Sequence, residues 1–337
     1  MSLSDSIPHG AAKPKVLLLS TGGTITMTSE TAAGVEPTLS GDDLVRAVPS
    51  LADHCALEVV SFSKKPGASL TYNDLKEIAA RIERSFAADC QGAVVVQGTD
   101  TIEETAFALD LLVASEKPVV VTGAMRNAAA PGADGPANLL AAVLVAASPF
   151  SRGRGTMVVL NDTIHAARFV QKTDTSSPAA FQSPATGPLG RVDEQRVAFH
   201  APARRTEPLP VPVVFDKPIA VIKVCLDDDG RLARQVPALG YAGVVIEAMG
   251  AGHLPAWYAP IISELAAAVP LVLATRVPSG PVFTQTYGFT GSETDSLQRG
   301  AIPGGGLGSL KSRLLLSFLV NGGGAGDTLR REFLKRA

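Results

Sequence analysis

The stretch Val16-Leu17-Leu18-Leu19-Ser20-Thr21-Gly22-Gly23-Thr24-Ile25 sets the pattern from which the rest of the chain is read. Four consecutive aliphatic residues suit a strand buried on both faces, and the small polar residues behind them mark its end. The same grammar recurs at Ala93 to Val96 before Gln97-Gly98-Thr99, at Val119 to Val121 before Thr122-Gly123, and at Met157 to Leu160 before Asn161-Asp162. Between these runs, Tyr72 to Phe86, Thr101 to Ala114 and Asn138 to Ala147 carry apolar residues at helical spacing. Strand and helix in alternation predict a parallel α/β sheet, whose ligands collect beyond the carboxyl ends of the strands.

From Phe181 to Pro212 the periodicity gives way to Pro, Gly, Arg and Glu, a composition expected of irregular structure between domains. A second α/β set follows, with strands expected at Ile219 to Val224, Gly243 to Ile246 and Leu271 to Leu273 and helices at Tyr258 to Ala268 and Ser309 to Val320. Gly304 to Gly306 and Gly322 to Gly324 are read as helix-flanking turns. The expected architecture is therefore a two-domain α/β protein: a larger N-terminal parallel-sheet domain over residues 1–210 and a smaller C-terminal α/β domain over 211–337.

At 337 residues the chain can bury two cores, and a net charge of -2 offers no footprint for nucleic acid or an anionic membrane. The basic tail Leu329 to Ala337 reads as a solvated helix face. Cys55, Cys90 and Cys225 are odd in number and far apart, so they read as reduced core residues, with neither a disulfide framework nor a metal site. Met1 to Lys15 lacks the basic-then-apolar order of a signal peptide, and every apolar run falls short of about 20 residues. The expectation is a soluble, cytoplasmic protein.

Three clusters can carry chemistry. In the first, Gly22 and Gly23 permit a sharp turn that presents Thr24 at the sheet edge, where backbone N–H groups can stabilise an oxyanion. A strand-ending turn with hydroxyl caps is the structural alternative. In the second, Gln97-Gly98-Thr99-Asp100-Thr101-Ile102-Glu103-Glu104, the spacing of Asp100 and Glu103 predicts a capping box at a helix start. The same position lets Thr99 handle a water or hydroxyl proton and Asp100 take a substrate ammonium. In the third, Lys172 follows Asn161-Asp162-Thr163 and Arg168. Alone it reads as a solvated lysine; buried beside Thr99 and Asp100 it becomes a proton relay.

Together these segments resemble the bacterial-type asparaginase and glutaminase family over nearly the whole chain. Thr21-Gly22-Gly23-Thr24-Ile25 looks like its first signature, and Gly98-Thr99-Asp100-Thr101 with Glu103-Glu104-Thr105-Ala106 like its second. Gly123-Ala124-Met125-Arg126, Ala133-Asp134-Gly135-Pro136 with Asn138-Leu139, Asn161-Asp162-Thr163 and Arg276-Val277-Pro278-Ser279-Gly280 follow in order. The resemblance implies that Thr24 attacks a side-chain amide to give an acyl-enzyme and ammonia, and that water then releases aspartate. It makes Thr99, Asp100 and Lys172 a second polar triad and lines the pocket with Gly23, Gly98 and Ala124. It matches Glu293 to an acidic residue from the partner subunit, and so implies a homo-oligomer of at least two chains, commonly a dimer of dimers. No metal or organic cofactor is implied.

Departures from the family pattern bear on substrate choice. Gln97 stands where a histidine is usual, and Met27 to Leu39 lacks the tyrosine that the family places near its nucleophile. Tyr287 is a candidate replacement, with a structural tyrosine as the alternative. Ser69, in Pro66-Gly67-Ala68-Ser69, is chosen for the substrate carboxylate, and His253 stands where the family often has asparagine.

The leading expectation is L-asparagine hydrolysis. A glutaminase-asparaginase, or an amidase for a larger amide, is the runner-up, and a noncatalytic amino-acid sensor is the alternative of another class. A nucleotide-binding protein or dehydrogenase lacks its GxxxxGK[ST] or GxGxxG loop, and a serine hydrolase its GxSxG elbow.

Overall fold

The computed structural model of the chain describes residues 12–22, 27–31, 34–37, 41–203 and 205–336. The strands of the first half are β1 (Lys15–Ser20), β2 (Met27–Thr31), β3 (Gly34–Pro37), β4 (Ala56–Ser61), β5 (Gly92–Val96), β6 (Val119–Thr122), β7 (Thr156–Leu160), β8 (Thr163–Ala166), β9 (Gln171–Lys172), β10 (Phe181–Gln182), β11 (Gly190–Asp193) and β12 (Arg196–Phe199). Eight of them form one sheet in the order β12-β11-β8-β7-β6-β5-β1-β4. From β4 to β7 neighbours run parallel, and β8, β11 and β12 extend the sheet antiparallel. β2 and β3 pair antiparallel, as do β9 and β10.

Burial on both faces explains the uninterrupted aliphatic runs. Val16, Leu18, Val94, Val96 and Val120 share one core with the helix Gly135–Ala147, while Leu17, Leu19, Val95 and Val121, equally buried, alternate to the opposite face. β5 approaches the Gly135–Ala147 helix so closely that a Cβ on Gly92 would lie 2.0 Å from the Ala146 carbonyl oxygen. No other residue fits there. The helix Tyr72–Ala88 begins at a capping box in which Thr71 and Asp74 exchange hydrogen bonds, and Lys65 pairs with the same Asp74 carboxylate at 2.7 Å.

Part of the segment expected to be irregular, Phe181 to Pro212, is ordered as β10, β11 and β12. β11 and β12 are joined by Glu194 and Gln195, both with positive φ (48° and 63°), the conformation that matches hairpin twist. The chain divides into two compact units between Pro208 and Leu209.

The second unit has a parallel sheet of β13 (Ile219–Lys223), β14 (Gly243–Ala248), β15 (Leu271–Thr275) and β16 (Ile302–Pro303). The helices Tyr258–Ala268 and Gly308–Asn321 pack on it. The tail expected to be a solvated helix face is instead a docked helix, Asp327–Arg336. It buries Leu329, Phe333 and Arg336, because Leu329 and Phe333 stand one turn apart on a single face. Cys55 and Cys90 are buried, but Cys225 is exposed just beyond β13, which corrects its placement in the core.

Candidate active site

The carboxyl end of β1 is tightly held. The Thr21 N–H donates to Val96 O at 2.9 Å, and Thr21 O accepts Lys65 N–H at 2.9 Å and the Ser63 hydroxyl at 2.9 Å. Gly22 follows at φ 108°, with Lys65 O 2.9 Å from where a Cβ would stand, so a side chain is excluded on both counts. The chain therefore leaves β1 through a fixed doorway toward Gly23 and Thr24, which themselves lie outside the described residues.

Next to it, β5 ends in Gln97, Gly98 and Thr99, all buried, and a 3-10 turn Thr99–Thr101 leads into the helix Ile102–Leu112. The capping box expected of Asp100 and Glu103 is not formed. The intervening 3-10 turn moves the helix start to Ile102, so Asp100 is no longer at its cap and no side chain caps it. Asp100 instead turns to Lys172 on β9: the ammonium Nζ stands 3.1 Å from Asp100 Oδ1 and donates to Thr99 Oγ1 at 2.9 Å. With its side chain 19% exposed, Lys172 is largely withdrawn from water, whereas the Asp100 side chain is 66% exposed and open to a ligand. The Lys172 backbone N–H reaches Glu103 Oε1 at 3.5 Å, tying β9 to the same helix.

Two further turns close around this group. Gln97 Nε2 donates to Gly98 O and to Thr101 Oγ1, both at 3.2 Å, and Thr101 Oγ1 donates to Gly67 O at 2.9 Å. Gly67 lies against Gly98, with its Cβ position 2.8 Å from Gly98 O, so the turn Gly67–Ser69 is brought alongside and its Ser69 is exposed. Beyond β6, Ala124 is fully buried; Asn138 Nδ2 donates to Gly123 O at 3.0 Å, and both Asp134 oxygens accept N–H groups from Met125 and Arg126. Asp134 and Asn138, one helical turn apart, are positioning residues whose part was not separated from the motif in sequence; that spacing was the available signal.

The remaining candidates lie in the second unit. Glu293, completely buried, starts the helix Glu293–Gln298, and its Oε1 accepts the N–H groups of Thr286 (3.0 Å) and Tyr287 (2.7 Å). Burial pushes the Glu293 carboxyl up, but the backbone N–H groups of Tyr287, Glu293 itself and Thr286, with the adjacent His253, outweigh it and hold the group below its ordinary value. His253 Nε2 stands 3.4 Å from Glu293 Oε2, an ion-pair distance without hydrogen-bond geometry. Tyr287 and Phe289 meet the His253 ring edge-on, at centroid separations of 4.7 and 5.2 Å.

Among the described residues, the donor atoms of Glu58, Asp89 and Cys90 also gather within 4.8 Å of one another. The Lys15 ammonium, 3.1 Å from Glu58 and 2.7 Å from Asp89, already provides that group with a cation. No helix among the described residues is long and apolar enough to cross a membrane.

Comparison with known proteins places both units in one family. Residues 15–205 match the family described as Asparaginase, N-terminal, and residues 218–333 the Glutaminase/Asparaginase C-terminal domain. The L-asparaginase of Bacillus licheniformis is 36% identical over 318 residues, covering 91% of this chain and 95% of that protein. The probable periplasmic L-asparaginase of Haemophilus influenzae is 34% identical over 330 residues, covering 94% and 92%. The crystal structure of the probable cytoplasmic L-asparaginase from Campylobacter jejuni superposes with a TM-score of 0.85 at 29% identity, covering 96% of this chain and all of that one. This chain belongs to the asparaginase family of amidohydrolases.

Proposed function

We propose that the chain hydrolyses the side-chain amide of L-asparagine, with Thr24 as the nucleophile. The Thr24 hydroxyl oxygen attacks the amide carbon, the C–N bond breaks, and the leaving nitrogen departs as ammonia after taking a proton. Water then attacks the resulting ester, releasing aspartate and restoring the hydroxyl. Thr99, Lys172 and Asp100 serve this sequence: Thr99 handles the proton of water or hydroxyl, Lys172 relays it, and Asp100 binds the substrate α-ammonium.

The observation that carries the reading is the single Lys172 ammonium shared by Thr99 Oγ1 and Asp100 Oδ1. It sits at the carboxyl end of β5, which pairs with the β1 that leads to Thr24. Ser69 and the turn around Gly98 receive the substrate carboxylate, and Ala124 lines the pocket through its backbone. Glu293 of the partner subunit completes the ammonium site, which makes at least a dimer part of the proposal. The Campylobacter likeness supports a cytoplasmic location, which cell fractionation tests.

Ammonia release from L-asparagine, L-glutamine and their D-forms tests the substrate. Hydroxylamine capture of an acyl group, present in the wild type and lost in Thr24→Ala, tests the nucleophile. Wild-type turnover by Thr24→Ala on every amide would rule it out, and glutamine turnover above asparagine turnover would establish the runner-up. Ligand binding with no ammonia released from any of them would establish the sensor.

A further inference from the structure

We infer that His253 makes recognition of the substrate α-ammonium by Glu293 dependent on pH, acting on substrate affinity and not on the chemical step. The inference deepens the function proposed above and rests on it. Glu293 is fully buried, and its two oxygens are not equivalent. Oε1 is occupied by two backbone N–H groups, whereas Oε2 has no hydrogen-bond partner and faces His253 Nε2, itself without one, at 3.4 Å. Oε2 is thus the oxygen with lone pairs left for a ligand, and a buried carboxylate oxygen left unpaired is costly.

The imidazole is held beside Glu293. Its backbone is fixed by reciprocal bonds with Met249, at 2.9 and 2.7 Å, and its ring packs against those of Tyr287 and Phe289. Among the described residues, the Glu293 carboxylate and the Tyr287 ring face the imidazole, and the carboxylate is the charged partner. Two charge states of one fixed ring therefore have opposite effects. Neutral His253 leaves Oε2 without a donor, and an ammonium brought against it in the assembled protein can donate to it. Protonated His253 places a positive charge 3.4 Å from the same oxygen, so it competes for the carboxylate and repels the ammonium.

One pH unit below the midpoint of this gate, only about a tenth of the molecules can accept the ammonium, which raises KM about tenfold. The experiment is the pH dependence of KM and kcat for asparagine across about pH 5 to pH 8, the span in which imidazoles change charge, in the wild type, His253→Gln and His253→Asn. Succinamate, which is asparagine without its α-amino group, is measured in parallel. The expected result is a KM for asparagine that rises as pH falls in the wild type but not in either variant, while the pH profile of kcat keeps its shape in the variants. The KM for succinamate should lack the rise. The same rise in His253→Gln, or a rise of equal size for succinamate, overturns the inference while leaving asparagine hydrolysis intact. A wild type that releases no ammonia from asparagine overturns the underlying function, and this inference with it.

Discussion

Lys172 holds a hydroxyl and a carboxylate with one ammonium, and the difference in exposure between its partners indicates what each is suited to do. Thr99 is buried and can exchange a proton only with groups inside the site, whereas Asp100 is open to a charged ligand. Lys172→Met keeps the length of the side chain and removes the proton carrier. Its kcat for ammonia release should fall by about 10²–10⁴, the usual contribution of a positioned acid or base, with a melting temperature close to wild type because partly exposed ion pairs contribute little. A kcat within a few fold of wild type would remove Lys172 from the mechanism. His165, on β8, gives a separate prediction about stability. It is 1% exposed, its Nδ1 meets Ser183 Oγ at 2.9 Å, and its Nε2 has no partner, so burial lowers its pKa from 6.5 to about 4. The unfolded chain then binds this proton at a higher pH than the folded one. The stabilisation is complete above 6.5 and is lost as pH falls toward 4, by roughly 3 kcal/mol. Urea midpoints at about pH 7 and pH 4.5 should converge by most of that amount in His165→Asn, whose amide keeps a partner for Ser183 without titrating in this window.

At the scale of elements, the helix Asp327–Arg336 shows how charge can hide packing. Seven of its ten residues are polar or charged, which reads as a solvated face, yet Leu329 and Phe333 bury one face, and Arg330 donates to Gly300 O and Ala301 O. Phe333 is completely buried, so Phe333→Ala should cost about 3–5 kcal/mol, read as a lower urea midpoint; a loss under about 1 kcal/mol would mean that the helix is not docked. The parallel strands β1, β5, β6 and β7 were legible because burial on both faces forces long aliphatic runs. The hairpin of β11 and β12 was not: its strands are four residues each, and its turn uses Glu194-Gln195 in place of the Asn-Gly or Asp-Gly that signals a hairpin. The site divides in the same way. Thr99 and Asp100 were readable as polar residues ending an apolar run, but the capping box was misread because a 3-10 turn and an α-helix start favour the same residue types. Thr101 reaching Gly67, Lys172 meeting Thr99, and His253 facing Glu293 depend on contacts between segments distant in sequence, which no local period encodes.

At the scale of the whole molecule, the proposal distributes one catalytic centre over two chains, and this can be tested without locating a ligand. Lys172 belongs to the first unit and Glu293 to the second, and each half of the proposed site can be disabled separately. Glu293→Gln keeps the oxygen that accepts the Thr286 and Tyr287 N–H groups and removes the charge needed for an ammonium. Each variant alone should release ammonia from asparagine at least tenfold more slowly than wild type, since breaking a charge-assisted contact costs about 1.5–3 kcal/mol. If the two variants are mixed, dissociated and reassembled, half of the dimers carry one chain of each kind. In such a dimer one site draws both defects and the other draws neither, so the mixture should recover about a quarter of wild-type activity. If Glu293 instead served the site of its own chain, every site in every assembly would keep one defect, and mixing would restore nothing. Recovery that rises with protein concentration and disappears on dilution would further show that the complete site exists only in the assembled protein.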